Sequence, residues 1–144
     1  MLVSVVLLGT AVGGTLTALR TTIISGRSDD DQVAARTLLL AAEDALQRTT
    51  YYSCADPGMD EGDIRIEYEG AIDDVPRPDG WGPETVQISL LQFWQKSSEG
   101  VEIFDAACPT DPSHIRLSAQ LIDIYVLSPG GAVGKTIQVV KGSG

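Results

Sequence analysis

The first charged residue of this chain is Arg20, and the stretch before it, MLVSVVLLGTAVGGTLTAL, is uncharged from end to end. Such a run is apolar on every side, so it cannot be one face of an ordinary surface helix and requires an apolar surround. Nineteen residues at 1.5 Å each make about 28 Å of helix, close to the roughly 30 Å of a bilayer's hydrocarbon core. A cleaved signal peptide is the competing reading. The run is longer than a usual h-region, however, with no basic n-region before it and no clean A-x-A site after it. We read it as a membrane span. Every charged residue, ten Lys/Arg and twenty Asp/Glu, falls in the other 125 residues (144 − 19), which carry the whole net charge of −10.

Within the apolar run, Gly9, Gly13 and Thr17 fall four apart and share one helix face. Small residues at that spacing let helices approach closely in a membrane. Gly13, Gly14 and Thr15 are weak helix formers and mark where the helix can loosen. After Arg20 the pattern changes period. In DDDQVAARTLLLAAEDALQRT, Asp29 to Thr49, Ala34, Leu38, Ala41, Ala42 and Ala45 make an apolar stripe at helical spacing, widened by Leu39 and Leu46. Val33, Thr37, Leu40 and Asp44 trace a second line. Asp29, Asp30 and Asp31 suit the positive end of a helix. The expectation is one long helix over roughly 2–50, apolar in its first half and amphipathic in its second, with Gly26 as a kink or a gap between them.

Past Tyr51 the chain is rich in Pro and Gly up to Pro83. Inside that stretch, IRIEYEG (Ile64 to Gly70) alternates Ile64, Ile66 and Tyr68 against charged neighbours, which predicts a half-buried strand. ETVQISLLQFWQ (Glu84 to Gln95) alternates and shifts phase at Leu91 and Phe93. KSSEG then turns it into VEIFDA as a hairpin. IRLSAQLIDIYVLS (Ile115 to Ser128) is a long strand whose inward phase flips at Leu121–Ile122, as a bulge would make it. PGG turns it into GKTIQVVK (Gly134 to Lys141), a second hairpin. The fold class that results is α+β. A long N-terminal helix packs on a C-terminal antiparallel sheet of about four to five strands.

The composition excludes several chemistries. Single, scattered basic residues under an acid surplus cannot neutralise a row of phosphates, so no nucleic-acid partner is expected. His114 is the only histidine; between a Pro-Ser loop and a strand start it reads as a solvated or capping residue and not as the base of a triad, and alone it gives zinc no ligand set. GGAVGKT at 130–136 has the wrong spacing for a phosphate loop. Residues 56–84 hold ten acids and two bases. Asp60, Glu61, Asp63, Asp73 and Asp74 are hard-oxygen donors of the kind calcium takes, but in no EF-hand spacing, and solvated loop acids are the plainer reading. No catalytic, cofactor-binding or metal-ligating residue is assigned. Trp81 and Trp94, with Tyr51 and Tyr52, offer a partner surface or core packing. The two cysteines, Cys54 and Cys108, lie in the part read as exported. One disulfide is their natural use and two separate thiols the other. The bond would close a loop of about 55 residues, worth on the order of 4 kcal/mol.

LVSVVLLGTAVGGTLTAL resembles the mature N-terminal helix of the type IV pilins and pseudopilins. In that family a short basic leader ends at a glycine, and a glutamate follows shortly before such an apolar stretch. Neither stands before Leu2 here; the expectation is a start assigned just past the processing motif, the alternative being a variant that lacks the motif. The resemblance continues in minor pilin-like subunits. There, YYSCADP is similar to the helix end with its first cysteine, DGWGPETVQISLLQFWQ to the first core strands, and ACPTDPSHIRLSAQLIDIYVLSPGGAVGKTIQVVK to the second cysteine and closing hairpin. It implies a transmembrane and assembly helix over 1–25 and an extracellular globular domain over 26–144. The function it implies is that of a subunit, a minor one, of a type IV pilus or type II secretion-like filament, and not of an enzyme. Its partners would be other pilin-like subunits along the N-terminal helix, membrane lipid before assembly, and a prepilin peptidase acting on a leader. The protein would sit in the cell membrane as a single-pass protein before joining a surface filament. The alternative is a monomeric membrane-tethered module that binds a ligand outside the cell.

Overall fold

The computed structural model describes residues 28–97, 99–110 and 119–142. The apolar run, the packing face Gly9, Gly13 and Thr17, His114 and the proposed 1–25 segment therefore lie outside the described residues.

Helix α1 is described over residues 28–48. Its core side is Ala35, Leu38, Leu39, Ala42 and Leu46, spaced three or four apart so that they share one face. Ala41 and Ala45 pack at the margin of that face. Val33 and Leu40 point the other way, 68% and 53% exposed. The amphipathic half of the expected helix is thus present, with Ala35 in the core position that Ala34 was expected to hold.

The segment read as a strand around Ile64 is helical instead. Helix α2 spans Glu61–Asp73. Two local features outweigh the alternation in IRIEYE. Asp60 accepts from the amides of Gly62 and Asp63 at 2.8 and 2.9 Å, while Asp63 accepts from the Asp60 amide, which closes a capping box. Ile64, Tyr68 and Ile72, four apart, are buried together, whereas Ile66 is 65% exposed. The same apolar residues fit both periods, and the cap decides between them.

Four antiparallel strands form one sheet: β1 (Val86–Lys96), β2 (Glu102–Asp105), β3 (Gln120–Leu127) and β4 (Gly134–Lys141), in the order β2-β1-β3-β4. Both expected hairpins are present, β1–β2 and β3–β4. Gly100 and Gly131 take positive φ in their turns, where a side chain would be strained. The phase shift read in β1 is a bulge: Ile88 pairs with Ile124 and Leu90 with Asp123, which leaves Ser89 as the extra residue. The flip expected at Leu121–Ile122 does not occur. The described strand keeps Gln120, Ile122, Ile124 and Val126 inward without interruption. A polar Gln120 on the core side is what made that phase look broken.

Both helices share one core cluster with the inner face of the sheet, built on Val86, Ile88, Leu91, Phe93, Ile122, Ile124, Val126 and Val139. The result is a two-layer α+β domain. No described helix is long and apolar enough to cross a membrane.

Candidate functional site

A buried polar knot ties the layers together where α1 ends. The Tyr68 hydroxyl, on α2, donates to Gln120 Oε1 on β3 at 2.6 Å and accepts from the Tyr52 amide at 3.2 Å. Gln120 Nε2 donates in turn to the Tyr52 carbonyl at 2.6 Å. Beside them Lys141, only 5% exposed, donates from Nζ to the carbonyls of Leu46 and Thr49, both at 2.6 Å. Those carbonyls belong to the last turn of α1 and the residue past it, where backbone acceptors lack helical donors and the dipole is negative. The ammonium also stands 5.8 Å from the centre of the Tyr68 ring. Burial pushes the Tyr68 phenol up to about 12 and holds the Lys141 ammonium below its ordinary value. Every member of this knot makes hydrogen bonds, so it is structural chemistry: it fixes where α1 stops.

Next to the knot, Cys54 and Cys108 are disulfide-bonded with their α-carbons 5.9 Å apart. The bond joins the segment leaving α1 to the segment leaving β2. Tyr52 packs on Tyr68 with ring centres 5.6 Å apart, and Trp81 is half-buried against the core. Trp94 lies on the opposite face of the sheet, paired across strands with Phe104.

The acids considered for calcium do not converge. Asp60 and Asp63 are spent on the α2 cap, and the amides of Asp63 and Gly62 hold the Asp60 carboxyl below the usual carboxylate range. Asp73 pairs with Arg77 at 2.9 Å. Among the described residues no cluster of three His, Cys, Asp or Glu is placed to hold a metal ion. A hollow of about 400 Å³ between α2 and β1 is lined by Arg65, Glu69, Asp73, Glu84 and Gln87 over Ile72 and Ile88. Arg65 turns inward and donates to the Ile88 carbonyl at 2.6 Å. The hollow is an open, mixed-charge groove with no nucleophile beside a base.

No protein-family model, curated protein or solved structure matches this chain. The sheet's outer face, with no described element upon it, carries half-buried Leu121 and Tyr125 beside Val140, which is 57% exposed. Among the described residues no further strand pairs with the edges β2 and β4. Sequence reasoning missed Gln120 and Lys141. The one available signal was a polar residue at an inward position of each strand, in register with each other across β3 and β4.

Proposed function

We propose that the chain is a structural subunit of a pilin-like filament, a minor subunit of a type IV pilus or a secretion-type filament, held in the membrane by its N-terminal helix before assembly. The supporting observation is the layout of helix α1, which follows the uncharged run in the sequence. Helix α1 lays a single stripe on a small antiparallel sheet, and the knot and the disulfide pin its C-terminal end. A head fixed in this way moves as one body with the helix that carries it. Assembly through residues 1–19 then needs a lipid-compatible surface with a close-packing face, which Gly9, Gly13 and Thr17 supply.

The test is Gly9→Leu with Gly13→Leu in the native host, with sheared surface filaments and membrane-fraction protein measured separately. Leucine favours lipid, so membrane insertion should persist while incorporation into filaments is lost. Unchanged incorporation rules out the Gly9–Gly13 face. Absence of the unaltered protein from every sheared fraction overturns the subunit reading.

A further inference from the structure

The two edges of the sheet are complementary in direction, hydrogen bonding and charge. With the order β2-β1-β3-β4 and every neighbour antiparallel, β2 and β4 run in opposite directions. Copies placed side by side in the same orientation therefore bring β2 of one against β4 of the next in antiparallel sense, the pairing used throughout the sheet.

The backbone groups left without a neighbouring strand among the described residues match as well. Ser128 donates to Val133 and Ser97 to Val101 at the hairpin ends. Alternation from those pairs turns Lys135, Ile137 and Val139 toward β3, and Ile103 and Asp105 toward β1. Thr136 and Gln138 on β4, and Glu102 and Phe104 on β2, are left to face outward, and all four are exposed. Charge then selects the partner. Strand β2 reads EIFD, with two acids and no base; β4 reads GKTIQVVK, with no acid and with Lys135 exposed, its other base, Lys141, being buried against the end of α1. Like edges would repel and unlike edges attract.

We propose that a second copy of this chain docks at the sheet edge, with β2 of one copy adding to β4 of the next. The inference deepens the subunit reading and rests on it for its setting. One register satisfies every pair. Phe104 opposite Thr136 and Glu102 opposite Gln138 exchange the backbone bonds. The same register sets Asp105 against Lys135 and Ile103 against Ile137 on the face that carries the helices. Sliding by two residues sets Asp105 against Ile137 instead and loses the charge pair. Exposed Val101 and Ile103 (55% and 37%) gain cover in this arrangement. Within one molecule Asp105 aligns through Phe93 and Gln120 with Lys141, six residues from Lys135. The register thus shifts each copy by about 20 Å along the strands. The contact is head-to-tail and does not close on itself, so it propagates.

Full-length protein in mild detergent, half of it ¹⁵N-labelled, is treated with a zero-length carbodiimide, digested and analysed by mass spectrometry. Within one chain Asp105 and Lys135 stand three strand spacings apart, about 14 Å, with the further offset along the strand, so any bond between them is intermolecular. The expected result is an Asp105–Lys135 isopeptide with mixed-isotope pairs. It should be lost in Phe104→Pro, which removes one outward N–H and leaves the β1-facing groups in place. Asp105→Lys and Lys135→Asp should each reduce self-association several-fold by sedimentation, and the double exchange should restore it. Absence of the isopeptide, or failure of the double exchange to restore association, overturns the proposal. Filaments that form without the isopeptide sink the edge contact alone. An isopeptide in a protein that never enters filaments sinks the subunit reading alone.

Discussion

The ammonium of Lys141 donates to the carbonyl of Leu46 at 2.6 Å, across 95 residues of chain. A lysine on the closing strand thereby does for α1 what a C-capping residue does locally: it satisfies the terminal carbonyls and places positive charge at the negative end of the dipole. Lys141→Met keeps the stem and deletes the donor, leaving buried acceptors without a partner. It should lower stability by about 1–3 kcal/mol, read from the urea midpoint. Lys135→Met, which removes an exposed charge from the same strand, should change it little.

The Cys54–Cys108 bond should show in the intact mass as two thiols that alkylate only after reduction. Replacing both by serine should cost on the order of 2–4 kcal/mol through the freed loop. Cooperative unfolding should survive, because the core cluster spans both layers without needing the bond.

Alkaline pH should act through Tyr68. Its phenol is raised by burial from 10.0 to about 12, so its contribution is complete below pH 10 and is lost as pH rises through 12. Near pH 11 the loss should be about 1 kcal/mol. Tyr52, also raised by desolvation and by neighbouring Glu67, acts with the same sign. Lys141, whose ammonium is lowered, opposes them, since its burial penalty is relieved as it deprotonates. Tyr68→Phe should flatten the fall in the urea midpoint between pH 8 and pH 11.

Ser89 is the extra residue of the β1 bulge. Deleting it leaves Val86, Ile88, Leu91 and Phe93 in strict alternation toward the core, so the variant should still melt cooperatively. Deleting Gln92 would turn Phe93, which is fully buried, to the outer face and should abolish the transition. Circular-dichroism melts of the two deletions distinguish these outcomes.

The parts legible in the sequence are those in which a single pattern has a single reading. The α1 stripe through Leu38, Ala42 and Leu46 fits only a helix, and the turn residues at KSSEG and PGG fit only hairpins. Even the β1 bulge announced itself, because Leu90 and Leu91 cannot both face inward. IRIEYE failed because Ile64 and Tyr68 satisfy a period of two and a period of four equally, and the deciding cap at Asp60 lies outside the run. Gln120 and Lys141 failed for another reason. A buried polar side chain is stable only with its partners, and Tyr52, Tyr68, Leu46 and Thr49 come from distant segments that only the fold assembles. The sheet edges were invisible for the same cause, since edge position follows from strand order and not from any one strand.

The position of the disulfide decides how this domain would respond to being pulled. Tension applied between α1 and the end of β4 meets the covalent bridge at Cys54 and leaves at Cys108. It bypasses α2, β1 and β2 altogether. The force then reaches the β3–β4 hairpin at Gln120 and Lys141, which face each other in register at its open end. A hairpin loaded there is peeled one rung at a time and not sheared along its length. The grip of Lys141 on the end of α1 is therefore the first fastening to be tested, and nearly half of the folded head lies in mechanical shade.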